Sequence, residues 1–351
     1  MSEAALYSVL GAGVAGLCAA TALAERGVAV EVITPSPAGD APPAASRLAG
    51  GMLAPDCEGE SAPREIVVQG RAALEWWAAR AKSYVKRGTL VVAPARDGQE
   101  LDRFARATAR NDPQAHQWVT PDDLEPSLKG RFARGLHYPQ EAHLDPRAAL
   151  EDLRAALAAR GVEFRSAAPR GRVIDCRGMS AVKGASVAGG GNVAGGAVRD
   201  LRAVRGEMML VESADITLSR PIRLLHPRFP CYIVPRGEGR FMIGATMIES
   251  ARSGPITARA LMELLSAAYA LHPAFAEAVL LETGTGLRPA FADNLPALRF
   301  EGPDAEATQT GTDMGRIHLN GLYRHGFLMA PILAERLASQ LAAGVLSYGA
   351  H

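Results

Sequence analysis

A short apolar run, Tyr7 to Leu10, breaks into Gly11-Ala12-Gly13-Val14-Ala15-Gly16 within the opening residues. No other feature constrains the fold as much. A helical stretch from Leu17 to Ala24 follows, closed by Arg26-Gly27, and a second strand runs from Val28 to Ile33. That order, strand, glycine turn, helix, strand, is the one a dinucleotide-binding βαβ unit requires. Gly11 permits the tight turn, and Gly13 leaves no Cβ in the way of a pyrophosphate. Gly16 lets the helix pack on the strand, and the free N–H groups at the helix start face the anion. Alone, G-x-G-x-x-G describes many ordinary turns. Its place between strand and helix gives it weight.

The usual partner of this motif is a carboxylate that closes the second strand and bonds the ribose of the adenosine half. Here the strand ends Val32-Ile33-Thr34-Pro35, and Glu31 lies inside it. Thr34 therefore stands where the acid is expected, and a hydroxyl bonds a ribose more weakly.

At 351 residues the chain has room for two domains and a large core. A formal charge of +1 argues against a dedicated nucleic-acid or membrane-surface binder. Cys18, Cys57, Cys176 and Cys231 lie far apart with no C-x-x-C, which suggests neither a zinc site nor a disulfide framework. The first strand leaves no room before it for a signal peptide, and Val9 to Ala24 is too short to span a bilayer. The expectation is a cytoplasmic protein.

Further along, Pro35 to Ala45 reads as a loop. Ser46 to Pro55 is apolar and glycine-rich without alternation, which suits either a buried turn or close backbone approach to a flat ligand. Arg64 to Val85 reads as a helix with Trp76 and Trp77 in the core, and Gln99 to Arg110 as a charged amphipathic helix. Thr89–Ala93 and Gly135–Tyr138 are strand candidates. Asp145-Pro146 gives the N-cap and first position of a helix from Arg147 to Arg160. Val162–Arg165 and Val173–Cys176 are further strands. Gly184 to Gly196 carries almost no charge and cannot pack a core, so it reads as a surface loop. Strands then recur at Glu207–Val211, Tyr232–Pro235 and Phe241–Thr246 with Gly-rich turns between them, an antiparallel pattern. A helix from Thr257 to Leu271, strands at Leu280–Thr283 and Arg316–Asn320, and a last helix from Gly326 to Ala343 complete the chain. The reading is an α/β nucleotide domain interrupted by a second domain.

Two late arginines stand in unusual settings. Arg288 follows a glycine-rich approach and precedes a turn, and Arg324 lies between a strand and the last helix. A buried guanidinium needs an anion, and a carboxylate fits its fork. The residues alone leave this open, since surface salt bridges explain such arginines at least as readily. No Ser-His-Asp order, H-E-x-x-H helix or P-loop lysine is present, and His325 is the one histidine in a motif-like setting.

Taken together, Gly11–Gly16, Ala49-Gly-Gly-Met-Leu-Ala-Pro55, Tyr232-Ile-Val-Pro-Arg236, Ile243-Gly-Ala-Thr-Met247, Gly286-Leu-Arg-Pro289 and Tyr323-Arg-His-Gly-Phe-Leu328 follow one order. In that order they resemble the FAD-dependent D-amino-acid-oxidase-like enzymes, and within them the glycine oxidases of thiamine biosynthesis. The likeness covers nearly the whole chain. It implies a Rossmann-like FAD-binding domain of the glutathione-reductase type, interrupted by an antiparallel-sheet α+β substrate domain. The implied FAD-binding parts are 1–84, 139–210 and 285–351, and the substrate parts are 85–138 and 211–284. The implied cofactor is non-covalent FAD. Gly11, Gly13, Val14, Ala15 and Gly16 would meet its pyrophosphate and Thr34 its ribose. Gly51 and Met52 would pass along the isoalloxazine, and His325, Gly326 and Leu328 would present backbone to its pyrimidine edge. Arg47, Leu48, Gly50, Gly178 and Phe327 complete the implied contacts. Arg288 would clamp a substrate carboxylate with help from the Tyr232 hydroxyl. Met247 would line a small side-chain pocket, and Arg324 would lie near substrate or flavin. The implied reaction oxidises glycine or a small amine to the imine by hydride transfer. Dioxygen would be reduced to hydrogen peroxide, and the imine could pass to thiazole synthesis. A homo-oligomer is compatible with the resemblance, and no acid or base is assigned.

The chain departs from the family at Thr34 and in the run from Val162 to Asp175, which is short where the family has an adenine contact. The adenine side is expected to be loose or rebuilt. Three rivals remain at this level. One is a sarcosine, amine or D-amino-acid oxidase, or a dehydrogenase using another acceptor. The second is an NAD(P)-dependent dehydrogenase, and the third a flavin-binding protein without catalysis.

Overall fold

The computed structural model describes residues 5–35, 44–182, 198–226, 230–302 and 315–343. The tract Gly184–Gly196 lies outside them, as does most of the expected loop after Pro35. Two large sheets organise the chain. The first has six strands in the order β16 (Ala297–Glu301), β17 (Arg316–Asn320), β9 (Arg172–Asp175), β1 (Tyr7–Leu10), β2 (Val30–Ile33) and β8 (Glu163–Arg165). All pairs are parallel except β16 with β17. The second sheet contains β4 (Thr89–Val92), β5 (Gln117–Val119), β6 (Gly135–Tyr138), β10 (Arg202–Glu212), β11 (Ile222–Leu224), β12 (Cys231–Pro235), β13 (Arg240–Gly244), β14 (Ile248–Glu249) and β15 (Val279–Ala290), paired antiparallel except β4 with β11. A small ribbon joins β3 (Met52–Leu53) to β7 (Ala142–His143).

Eight α-helices are described: α1 (Val14–Ala24), α2 (Pro55–Glu58), α3 (Arg64–Ala78), α4 (Gly98–Ala109), α5 (Pro121–Leu124), α6 (Pro146–Ala159), α7 (Ala258–Leu271) and α8 (Gly326–Ala342). None among the described residues is long and apolar enough to cross a membrane.

The βαβ opening forms as its glycines dictate. Gly11 takes φ of 99°, and a Cβ at Gly16 would overlap the Gly11 carbonyl. Helix α1 begins at Val14, earlier than Leu17, because the turn between Gly11 and Gly13 is completed by backbone alone. Every residue from Val14 to Leu23 is buried, as befits a helix with no polar face that packs against α6, α8 and the parallel sheet. Asp145 caps α6 as expected, accepting hydrogen bonds from the N–H groups of Arg147 (2.7 Å) and Ala148 (3.2 Å).

Helix α3 ends at Ala78, short of the expected Val85, and Val85 instead bridges to His143. The tryptophans explain the placement of α3. Proline at 331 has no N–H to give the Phe327 carbonyl one turn earlier in α8. The Trp77 indole supplies that hydrogen bond instead, at 2.7 Å. A core residue thus braces the first turn of α8.

Strands β10 and β15 are longer than their sequence suggests. Residues 202–210 and 285–290, expected in the nucleotide half, pair within the nine-stranded sheet. Arg288 consequently lies on a strand rather than beside a turn. The glycines at 284 and 286 belong to that strand because Leu48 and Ala45 press on its face, leaving no space for a Cβ at Gly284.

Candidate functional site

A cavity of about 890 Å³ runs between the two sheets. Its floor is the C-terminal edge of the parallel sheet, where α/β folds bind ligands. There it meets Gly11 to Val14 after β1, Thr34 after β2, Cys176 to Ser180 after β9 and Asn320 at the end of β17. Its far wall is the antiparallel sheet, with Gly206 and Met208 from β10, Tyr232 from β12 and Thr285 to Pro289 from β15.

Eighteen of the twenty site residues expected from the sequence line this space. They are Gly11, Gly13, Val14, Ala15, Thr34, Arg47, Leu48, Gly50, Gly51, Met52, Gly178, Tyr232, Met247, Arg288, Arg324, Gly326, Phe327 and Leu328. Gly16 and His325 do not. Gly16 stands behind the turn against the Gly11 carbonyl. His325 is buried, with Nε2 at 3.0 Å from Glu58 Oε2 and 3.2 Å from Arg324 Nε.

The donor set suits a phosphate-bearing, electron-accepting ligand. Helices α1 and α8 both point their N-termini into the cavity, both lack a side-chain cap, and neither has an acid in its first turn. Apart from the Val14 N–H, which Ser46 takes, their first N–H groups and positive dipole ends thus face negative charge. Ser46 Oγ accepts from the Val14 N–H at 3.1 Å and brings its hydroxyl beside the glycine turn. The segment from Gly50 to Met52 lines the cavity, and at Gly50 and Gly51 it does so with backbone alone. A Cβ at Gly50 would overlap the Tyr232 ring, and one at Gly51, where φ is 71°, would overlap the Leu144 carbonyl. Buried Arg236 fixes this wall by donating to the carbonyls of Gly50 (2.9 Å) and Leu144 (3.2 Å). These residues fit FAD.

At the other end of the cavity the arginines differ in one decisive respect. Arg324 is neutralised: its Nη2 lies 2.8 Å from Glu58 Oε2 and 2.6 Å from Ser61 Oγ. Burial alone would raise the Glu58 carboxyl, but Arg324 and His325 hold it well below the usual range. Arg177 is held by Asp175 at 2.6 Å, and Arg223 reaches Glu60 at 3.5 Å. Arg288 has no carboxylate partner among the described residues. Its one hydrogen bond goes from Nη1 to the Thr246 carbonyl at 3.0 Å.

Its side chain lies flat across Gly206, where any Cβ would overlap the guanidinium. Thr246 is itself pinned to buried Glu207. Thr246 Oγ1 accepts from the Glu207 N–H (2.9 Å) and donates to Oε2 (3.1 Å). Glu207 in turn forms a buried ion pair with Arg205 at 2.7 Å. Tyr232 stands beside Arg288; burial pushes its phenol up, although Arg288 and Arg236 oppose this. It remains a neutral donor at physiological pH. Tyr323 donates from its hydroxyl to the Met247 sulfur at 3.6 Å and narrows the space next to Arg288.

Three supports escaped sequence reading: Glu58, Glu207 and Gly206. Each acts through a partner at least 39 positions away, except the Arg205–Glu207 pair, so no local pattern marks them. Tyr323 stands in a motif read from the sequence, which gave it no role. Among the described residues no acid closes β2 on the cavity. Glu31 Oε1 accepts from the Ser8 hydroxyl (2.6 Å), and Oε2 from Arg165 (2.7 Å) and Arg170 (2.8 Å). Burial raises this carboxyl, but those hydrogen bonds win and bring it down to about 2.

Comparison with known proteins agrees with this geometry. A family profile described as "DAO: FAD dependent oxidoreductase" matches residues 7–340. A Rhizobium etli protein provisionally named as the thiamine biosynthesis oxidoreductase ThiO is 50% identical over 344 residues, with 95% of each chain covered. The "Bifunctional protein ThiO/ThiG" of Trichormus variabilis is 28% identical over 94% of this chain, which spans about half of it (51%). The crystal structure of glycine oxidase from Bacillus cereus superimposes with a TM-score of 0.75 at 20% identity, covering 98% of this chain and 96% of that one, and shows the shared fold.

Proposed function

Because the chain belongs to the DAO family of FAD-dependent oxidoreductases, we propose that it oxidises the α-carbon of glycine, or of an amine nearly as small, to the imine. The observation that carries this reading is Arg288, a guanidinium in the cavity with no carboxylate of its own. It would take the substrate carboxylate in its fork, with the neutral Tyr232 hydroxyl as a second donor. Thr246, next to Met247, fixes one edge of that guanidinium, and the Tyr323–Met247 contact would border the α-carbon side of a substrate held there.

Gly11 to Ala15, Ser46, Gly50 to Met52 and the first turn of α8 would hold the cofactor. Bound FAD supplies a two-electron acceptor for the hydride leaving the α-carbon. Among the described residues no side chain beside Arg288 offers a strong base. The substrate amine therefore gives its proton to solvent before reaction, and its lone pair forms the C=N bond as the hydride departs. Positioning does most of the protein's work. Dioxygen is the terminal oxidant and leaves as hydrogen peroxide; water converts the imine to glyoxylate and ammonia. Burial pushes the thiol of Cys231 up to about 12 and raises that of Cys176 as well, so neither cavity cysteine is a nucleophile toward the cofactor. Attachment is non-covalent on this reading. The joined ThiO/ThiG chain of Trichormus supports a second fate for the imine, transfer to thiazole synthesis.

The test is an anaerobic absorption spectrum of the yellow holoprotein. Glycine should bleach its visible bands and air should restore them. Bleaching by sarcosine or a bulkier D-amino acid but not by glycine would refute glycine as the substrate.

A further inference from the structure

We propose that Glu151 of α6 supplies the carboxylate for the adenosine ribose hydroxyls of FAD, replacing the acid that a βαβ nucleotide fold carries at the end of its second strand. Three observations converge on it. Thr34 occupies the usual position, and the acid of β2 itself, Glu31, is spent on Ser8, Arg165 and Arg170. Something else must meet the ribose if that contact is made by an anion.

Helix α6 reaches that end of the cavity. Its Arg154 guanidinium sits 4.1 Å above the Phe164 ring. Phe164 pairs with Val32 in β2, and the next carbonyl, that of Arg165, receives the Thr34 N–H at 2.9 Å. Arg154 is therefore alongside the C-terminal end of β2. Glu151, three residues earlier on the same helix face, lines the cavity together with Arg154 and Thr34.

Neither side chain is otherwise engaged. Among the described residues Glu151 has no hydrogen bond or ion pair, and Arg154 has only its contact with Phe164. All three other guanidinium–carboxylate pairs on the cavity wall, at Arg177, Arg223 and Arg324, are closed on partners. A carboxylate without a partner, three residues from a guanidinium that has no carboxylate of its own, lies at the place where the fold normally puts its ribose acid, and ribose hydroxyls can donate to it. The direct run from β8 to β9 leaves α6 as the element beside this end of the sheet.

The assignment rests on FAD dependence and is indifferent to which amine is oxidised; bleaching of the parent protein by glycine reports that choice separately. Its test is cofactor affinity in the full-length chain, read from flavin fluorescence, for FAD and for FMN, which lacks the adenosine half. Glu151→Gln should weaken FAD about 10-fold and leave FMN unchanged. Glu151 is exposed, so the substitution should not move the melting temperature of the FMN-bound chain. A variant that holds FAD as tightly as the parent, or that loses FMN in the same proportion, would overturn the assignment.

Discussion

Gly206→Ala separates function from stability in this fold. The Arg288 guanidinium lies against the Gly206 backbone, and an alanine Cβ would overlap Cζ and both terminal nitrogens. What stands in the way is the far end of a flexible side chain, so the fold can relieve the overlap by letting Arg288 swing away. Alanine is itself better tolerated than glycine in a strand interior, by roughly 0.5–1 kcal/mol. The protein should therefore melt at the same temperature or slightly above. The substrate pays instead. Displacing the guanidinium removes charge-assisted hydrogen bonds worth about 1.5–3 kcal/mol each, and losing about 3 kcal/mol corresponds to roughly a 100-fold fall in kcat/KM. Most of it should appear in KM, since the carboxylate is held throughout the reaction. Oxygen consumption with glycine gives the kinetic constants, and flavin absorbance confirms that FAD is retained. Gly16→Ala is the contrast: its Cβ meets the Gly11 carbonyl, which is backbone and cannot swing away, so that variant should lose FAD and stability together. A Gly206→Ala enzyme with unchanged KM would show that Arg288 does not bind the substrate.

Arg324→Ala should raise the glycine KM less than 10-fold where Arg288→Ala raises it about 100-fold, because Glu58 at 2.8 Å already compensates Arg324; equal effects in steady-state assays would contradict this division. Glu31→Gln should cost about 1–2 kcal/mol in urea unfolding at neutral pH, since it removes charge-assisted hydrogen bonds to arginines that are themselves partly exposed. The folded carboxyl lies near 2, below its unfolded value of 4.5, so its contribution is present above about 4.5 and lost as pH falls toward 2; the variant's disadvantage should shrink over that range. Glu141 behaves in the opposite sense. Burial raises it to about 8, its Oε1 accepts from the Cys57 N–H at 2.7 Å, and its Oε2 has no partner. The folded state holds this proton more tightly than the unfolded chain, so stability should fall as pH rises from about 4.5 through 8. Glu141→Gln should flatten that fall in urea midpoints measured against pH.

What the sequence discloses and what it hides divide along one physical line. The βαβ opening was legible because every determinant is local: Gly11 needs a left-handed φ, Gly16 must clear the Gly11 carbonyl, and both sit within one turn. The Asp145 cap was legible for the same reason. The residues alone left the role of Arg288 open, and only the resemblance implied a carboxylate clamp. A guanidinium's role depends on whether a carboxylate has already claimed it, and that is settled across the fold. Arg324 makes the point: the same residue type in the same cavity is closed by Glu58, 266 positions away, and nothing near either residue says so. Strand β15 was half missed because Gly284 and Gly286 lower strand propensity. They are tolerated there because the face they leave bare is filled by Leu48 and Ala45. Even the tryptophans, correctly read as core, carry a role that only the assembled fold displays, since the Phe327 carbonyl that Trp77 satisfies is orphaned by Pro331. The chemistry of this site is therefore set less by which charged residues the chain contains than by which of them the fold leaves without a partner.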